Sequence, residues 1–113
     1  LVVSGGVGIA DSVYIGGTAS LTTANLNRTI TAGGTTGAQT INKMAGRVNF
    51  AATDTTLVVT NSLCTASSVV VATIATNDAT ATIKSVVPVS GSFTITLTAA
   101  ATAETAVCWV LFN

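Results

Sequence analysis

Asp11, Asp54, Asp78 and Glu104 are the only carboxylate side chains in 113 residues, and the chain has no histidine. Without an imidazole, a Ser-His-Asp triad cannot be assembled. Cys64 and Cys108 stand alone rather than in a CxxC pair, so zinc of the usual kind has no ligand set. A glycosidase needs two facing carboxyls roughly 5–9 Å apart, one of them with a raised pKa. Asp54, Asp78 and Glu104 fall in turn-like stretches that folding could bring together. Turn aspartates, however, bond to nearby backbone for conformational reasons alone. The chain is therefore expected not to be an enzyme and to use no cofactor or metal. Gly6-Val7-Gly8-Ile9-Ala10-Asp11 mimics the opening of a dinucleotide fingerprint. That motif needs a following helix whose N-terminus meets the pyrophosphate, whereas Val13, Tyr14 and Ile15 read as extended chain and Gly16-Gly17 stops any helix.

Binding chemistry has more candidates. Asn61-Ser62 and Thr76-Asn77-Asp78 are turn clusters whose neutral donors and acceptors suit sugar hydroxyls, and rigid β-scaffolds carry function on such loops. Ordinary turn chemistry accounts for the same residues. Trp109 could stack on a sugar, but its alternating neighbours Val107 and Leu111 favour a core position. Tyr14 suits a half-wet edge. Asn27-Arg28-Thr29 fits a glycosylation sequon. Cys64 and Cys108 could form one disulfide, though two small buried hydrophobes is the simpler reading.

Charged residues are 7% of the chain and cancel to zero net charge, far below the usual level of about a quarter. Arg28, Lys43, Arg47 and Lys84 are scattered, whereas nucleic-acid binding needs clustered cations. No apolar run reaches the roughly 18 residues of a membrane-spanning helix, because Thr, Ser and Asn interrupt each one. The chain is thus expected neither to bind nucleic acid nor to insert in a membrane. With Leu1 rather than Met at its head and no basic leader, it is expected to be one end of something longer.

The elements that must position these residues are β-strands. Ala and Thr make up roughly a third of the chain, well above ordinary usage. Thr, Val and Ile favour extended backbone because branching at Cβ stiffens χ1 and packs well on a pleated surface. Residues 1–42 are rich in Gly and Thr, with short apolar couplets such as Val7 and Ile9 or Val13 and Ile15. They suggest a thin intertwined β-stalk, with a loop or linker over 29–40. Residues 43–113 hold about six strands separated by turn signals, the pattern of an antiparallel β-sandwich or jelly roll. Val48 and Phe50 alternate with Arg47 and Asn49. Leu57 and Val59 follow. Val70, Ala72 and Ile74 oppose Val69, Val71 and Thr73. Asn77-Asp78 turns the chain, the stretch from Thr80 to Val87 returns it, and Pro88 to Gly91 turns it again. Phe93, Ile95 and Leu97 alternate with threonines. The last strand, Thr105 to Phe112, is apolar on both faces: Val107, Trp109 and Leu111 on one, Ala106, Cys108, Val110 and Phe112 on the other. A sandwich strand needs one apolar face, so two imply cover on both sides. In so small a domain that cover is expected from another subunit, with Val107, Trp109, Val110, Leu111 and Phe112 forming the core and interface.

The strings INKMAGRVNFAA (41–52), LVVTNSLCTASSVVVATIATNDATA (57–81) and GSFTITLTAAATAETAV (91–107) together resemble the C-terminal domain of bacteriophage tail fibres and tailspikes. The resemblance covers 40–113. The shorter LVVSGGVGIADSVYIGG (1–17) is similar to Gly-rich passages of phage fibre shafts. The resemblance implies a homotrimeric β-sandwich at a fibre tip, assembled in the host cytoplasm and carried on the virion. It also implies a part in host-surface attachment, with bacterial surface polysaccharide as the partner. It brings no catalytic residues, because tailspike depolymerase activity usually sits in an upstream β-helix that these residues lack. Two other readings are a purely structural trimer clamp without a ligand and an accessory domain of a polysaccharide depolymerase.

Overall fold

Alternating Val, Ile, Leu and Phe against Thr and Ser leaves each strand with one face to bury, and two sheets bury these faces against each other. The computed structural model describes residues 3–113. Its elements are β1 (Arg28–Ile30), β2 (Gln39–Thr40), β3 (Ala45–Phe50), β4 (Thr56–Thr60), β5 (Val69–Ile74), β6 (Ile83–Val89), β7 (Ser92–Leu97) and β8 (Thr105–Phe112). They form two four-stranded sheets, β1-β3-β8-β5 (sheet A) and β2-β4-β7-β6 (sheet B). From β3 onward the chain crosses between sheets at every connection except the β6–β7 hairpin, and β3 pairs β8 while β4 pairs β7. This nested wrapping is jelly-roll-like, and the all-β sandwich expected from the strand pattern is the observed architecture.

Three features depart from the reading of the sequence. The stretch 29–40 is not simply a linker: β1 and β2 lie at its ends and add to sheets A and B. They pair with β3 and β4 in parallel, so the sandwich is not purely antiparallel. Parallel neighbours need a long return path, and here the intervening chain crosses to the other sheet and back. Pro88 lies inside β6 rather than in the turn, which reduces to Ser90 and Gly91. Proline is tolerated there because β6 is the edge of sheet B and one side of its backbone needs no ladder partner. The Ala-rich stretch after Leu97 is loop. Residues 3–27 form no strand within a single chain and are exposed throughout. Leu1 and Val2, where the expected stalk begins, lie outside the described residues.

The core holds Val48 and Phe50 from β3, Leu57 and Val59 from β4, Phe93, Ile95 and Leu97 from β7, and Val107, Trp109 and Leu111 from β8. Trp109 is its largest member. Its ring meets Phe93 edge-on, with centroids 4.8 Å apart and planes at 68°, the geometry that places a ring's positive edge on its neighbour's negative face. Within sheet A, Trp109 stands between Gly46 and Ala72. The indole fits because both flanking residues are small: a Cβ on Gly46 would sit 2.7 Å from Trp109 Cζ2 and 2.9 Å from Cε2.

Candidate functional site

The registers of sheet A decide which side chains share its outer face. One row runs Ile30, Arg47, Cys108, Thr73, and the next runs Arg28, Ala45, Val110, Val71, with Phe112 and Val69 beyond. At one end this face is closed by its own chain. The loop after β1 folds over Asn49, whose amide donates to the carbonyls of Ala32 (2.9 Å) and Thr35 (3.0 Å), and Gly34 N–H donates to both carboxylate oxygens of Glu104. At the other end the face is open. Ile30, Val69, Val71 and Phe112 remain 52%, 59%, 58% and 51% exposed. Between the rows lies a shallow depression of about 230 Å³ lined by Arg28, Ile30, Ala45, Val71, Cys108 and Val110, among others. Arg47, whose strand position is on the same face, has its Nε buried without an acceptor.

The two faces of β8 have different fates. Val107, Trp109 and Leu111 lie in the core of their own chain, the core position that the alternation favoured for Trp109 and its neighbours. Sheet B, rather than a neighbour, supplies their cover. Val110 and Phe112 do lie on the open face. Cys64 is buried, with its thiol 3.2 Å from the carbonyl oxygen of Ser92, whereas Cys108 is half-exposed in the middle of sheet A. Both are free thiols, so the pair of buried small hydrophobes holds for Cys64 only.

The expected sugar-contacting clusters are not one site. The loop after β4, carrying Asn61 and Ser62, lies at the end of the sandwich where β3 begins. The loop after β5, carrying Thr76, Asn77 and Asp78, lies at the opposite end, where β8 begins. Asn61 is fully buried and cannot touch a ligand. Its amide donates to Lys43 O at 2.7 Å, its carbonyl accepts from Leu63 N–H at 2.9 Å, and its own N–H donates to Gly91 O. Gly91 closes the β6–β7 hairpin at φ 84°, a left-handed conformation open to glycine. Asn61 thus ties three connections together, and the sequence signal that marked it as a turn residue marks a structural one. Ser62, Thr76 and Asn77 are exposed, although the Thr76 hydroxyl accepts from Ala106 N–H.

Asp78 is an internal anchor. One oxygen accepts from the N–H groups of Thr80 and Ala81, and the other from the N–H and hydroxyl of Thr102 and the hydroxyl of Thr105. The backbone donors of Ala81, Thr80 and Thr102, helped by the Thr105 hydroxyl, hold its carboxyl well below the usual aspartate range. A carboxylate so placed stays ionised and cannot serve as a general acid. Among the described residues, no group of three or more His, Cys, Asp or Glu could hold a metal ion, and no helix is long and apolar enough to cross a membrane. No protein family, curated protein or solved structure matches the chain.

Proposed function

We propose that this chain is the tip domain of a bacteriophage tail fibre or tailspike, a non-enzymatic homotrimer that contributes to attachment to bacterial surface polysaccharide. The observation that carries the shared-subunit part is the amount of surface one copy leaves wet. A single chain exposes 7188 Å², against about 5,700 Å² for a compact monomer of its mass. Its radius of gyration is 16.6 Å, against about 13 Å for a compact chain of this length. The exposed apolar side chains include Ile30, Val69, Val71 and Phe112 on the open face of sheet A, and Val7, Ile9, Val13 and Ile15 of the leading segment. A standard interface takes about 800 Å² from each partner, so the excess is close to what contacts with two neighbours would take. The choice of three copies, the virion and the polysaccharide rests on the resemblance of 40–113.

The clamp reading, with trimerisation but no ligand, is favoured by one observation. The two polar loop clusters sit at opposite ends of the sandwich, and their most polar members, Asn61 and Asp78, are consumed by internal hydrogen bonds. Size-exclusion chromatography with light scattering at micromolar concentration tests the oligomer. A trimer is expected, and a stable monomer overturns the proposal. Competition by purified protein for phage adsorption to host cells separates attachment from clamping. Release of reducing ends from host capsule would reverse the non-enzymatic reading.

A further inference from the structure

The surface that one copy leaves uncovered comes in two pieces, and they are complementary. The first is the open face of sheet A. It carries two guanidiniums, Arg28 and Arg47, on neighbouring strands in adjacent rows, and no carboxylate. The second is the leading segment, in which Val7, Ile9, Asp11, Val13 and Ile15 recur at every second position. The chain bends at Ala10 and Asp11; straightened to full extension, all five point the same way, while Gly8, Ala10, Ser12 and Tyr14 point the other. Asp11 is the only charged side chain between residues 3 and 27, and its one contact is Ser12 Oγ at 3.5 Å. Of the chain's other acids, Asp78 and Glu104 are already occupied by internal donors, and Asp54 lies in the loop after β3, at the end of the sandwich away from the open end of the face. Arg47 Nε, by contrast, is buried and lacks an acceptor, and buried polar groups are normally paired.

Resting on the shared-subunit reading above, we propose that the segment from Val7 to Ile15 of one copy lies across the open face of sheet A of a second copy. The four β-branched side chains seat on Ile30, Val71, Val110 and Phe112, and Asp11 meets Arg28 and Arg47. Nine extended residues span about 30 Å, which covers the open stretch of β8 from Cys108 to Phe112, about 17 Å, with several residues to spare. A strand laid flat on a sheet directs its N–H and C=O groups sideways, where water or another arm can satisfy them. The arm enters its own sandwich through β1 at the open end of the face, and β1 already forms the edge of sheet A. An arm leaving there is placed to reach a neighbour.

Cys108 supplies a native probe at the centre of this face, and Cys64 is buried too deeply to interfere. Single cysteines are placed on the apolar side of the arm (Ile9→Cys, Asp11→Cys, Val13→Cys) and on its opposite side (Ala10→Cys, Ser12→Cys), each in a chain that also carries Cys108→Ala. Every such chain is co-refolded with a size-tagged chain that keeps Cys108 and has no cysteine in its arm, then oxidised mildly. Covalent heterodimers are expected from the first set at least about fivefold more than from the second, because side chains pointing apart cannot reach disulfide geometry. Equal yields from both sets, or no heterodimer while light scattering still reports an oligomer, overturn the arm placement and leave the shared-subunit reading standing. A monomer in light scattering overturns both. If a chain carrying both an arm cysteine and Cys108 links only within itself, the arm belongs to its own sheet and the exchange is refuted.

Discussion

Gly46→Ala should destabilise the sandwich, and the structure indicates by how much. The new methyl would lie 2.7, 2.9 and 3.1 Å from Trp109 Cζ2, Cε2 and Nε1, whereas carbon atoms in contact prefer about 3.5–4.0 Å. The indole would have to move by nearly 1 Å. It cannot do so freely, because Phe93 holds one side edge-on and Ala72 flanks the other. Overpacking of this kind costs about 1–3 kcal/mol. In a strand with room to spare, replacing glycine by alanine would instead gain about 0.5–1 kcal/mol from the unfolded chain, so the sign of the change is diagnostic. Trp109 is the only tryptophan, and its fluorescence during urea unfolding, at fixed protein concentration, reads the site directly. A loss of about 1–3 kcal/mol corresponds to a drop in Tm of roughly 5–20 °C for a domain of this size. Repeating Gly46→Ala on a Trp109→Phe background, with urea unfolding of all four chains followed by β-sheet circular dichroism, isolates the clash. There the penalty should shrink by at least about 1 kcal/mol, the coupling expected of residues in contact. If Gly46→Ala is neutral or stabilising, or costs the same on both backgrounds, the close-packed Gly46–Trp109 slot is not what limits that position.

Other consequences can be measured in parallel. Asp78→Asn should lower thermal stability at neutral pH. Because the folded carboxyl lies below its ordinary value of 3.8, its contribution is complete above that value and fades as the pH falls past it, so the gap between wild type and variant should narrow from about pH 5 to pH 2; a constant gap would mean the carboxylate's charge contributes nothing. Asn61→Ala should cost about 2–4 kcal/mol by stranding Lys43 O and Leu63 N–H, and a change below about 0.5 kcal/mol in chemical denaturation would restore the residue to the surface. Val71→Asp places an unpaired carboxylate on the open face of sheet A and should dissociate the oligomer in light scattering while β-sheet circular dichroism persists; an unchanged oligomer would put the interface elsewhere.

How far the sequence carries the fold depends on the element. The alternation in β3, β4 and β7 put together the side chains that share the core, from Val48 and Phe50 to Phe93, Ile95 and Leu97, because a period of two leaves each strand one apolar face; in β5 it separated Val70, Ala72 and Ile74 from Val69, Val71 and Thr73 without saying which set faces inward. β8 shows the limit. Its double apolar pattern implied cover on both sides, and alternation separated Val107, Trp109 and Leu111 from Val110 and Phe112; that the chain's own second sheet covers the first set and leaves the second open is decided by the closed sandwich. Arg28–Ile30 and Gln39–Thr40 are too short to carry a period at all, and only pairing with β3 and β4 makes them strands. Pro88 read as a turn because its neighbour in the sheet was unknown; at an edge its missing N–H costs little.

The polar residues divide in the same way. Asn61 and Asp78 were recognisable as turn formers, since amide and carboxylate side chains bond to nearby backbone wherever the chain bends. Their partners were not recognisable, because Lys43, Thr102 and Thr105 lie 18, 24 and 27 residues away. Residue types and their spacing settled the β class, the strand faces and the shortage of charge, all of which are local properties. Which loops share an end of the sandwich, which carboxylates are already saturated, and which apolar face stays open depend on contacts between residues distant in the chain, and those exist only once the two sheets have closed on each other.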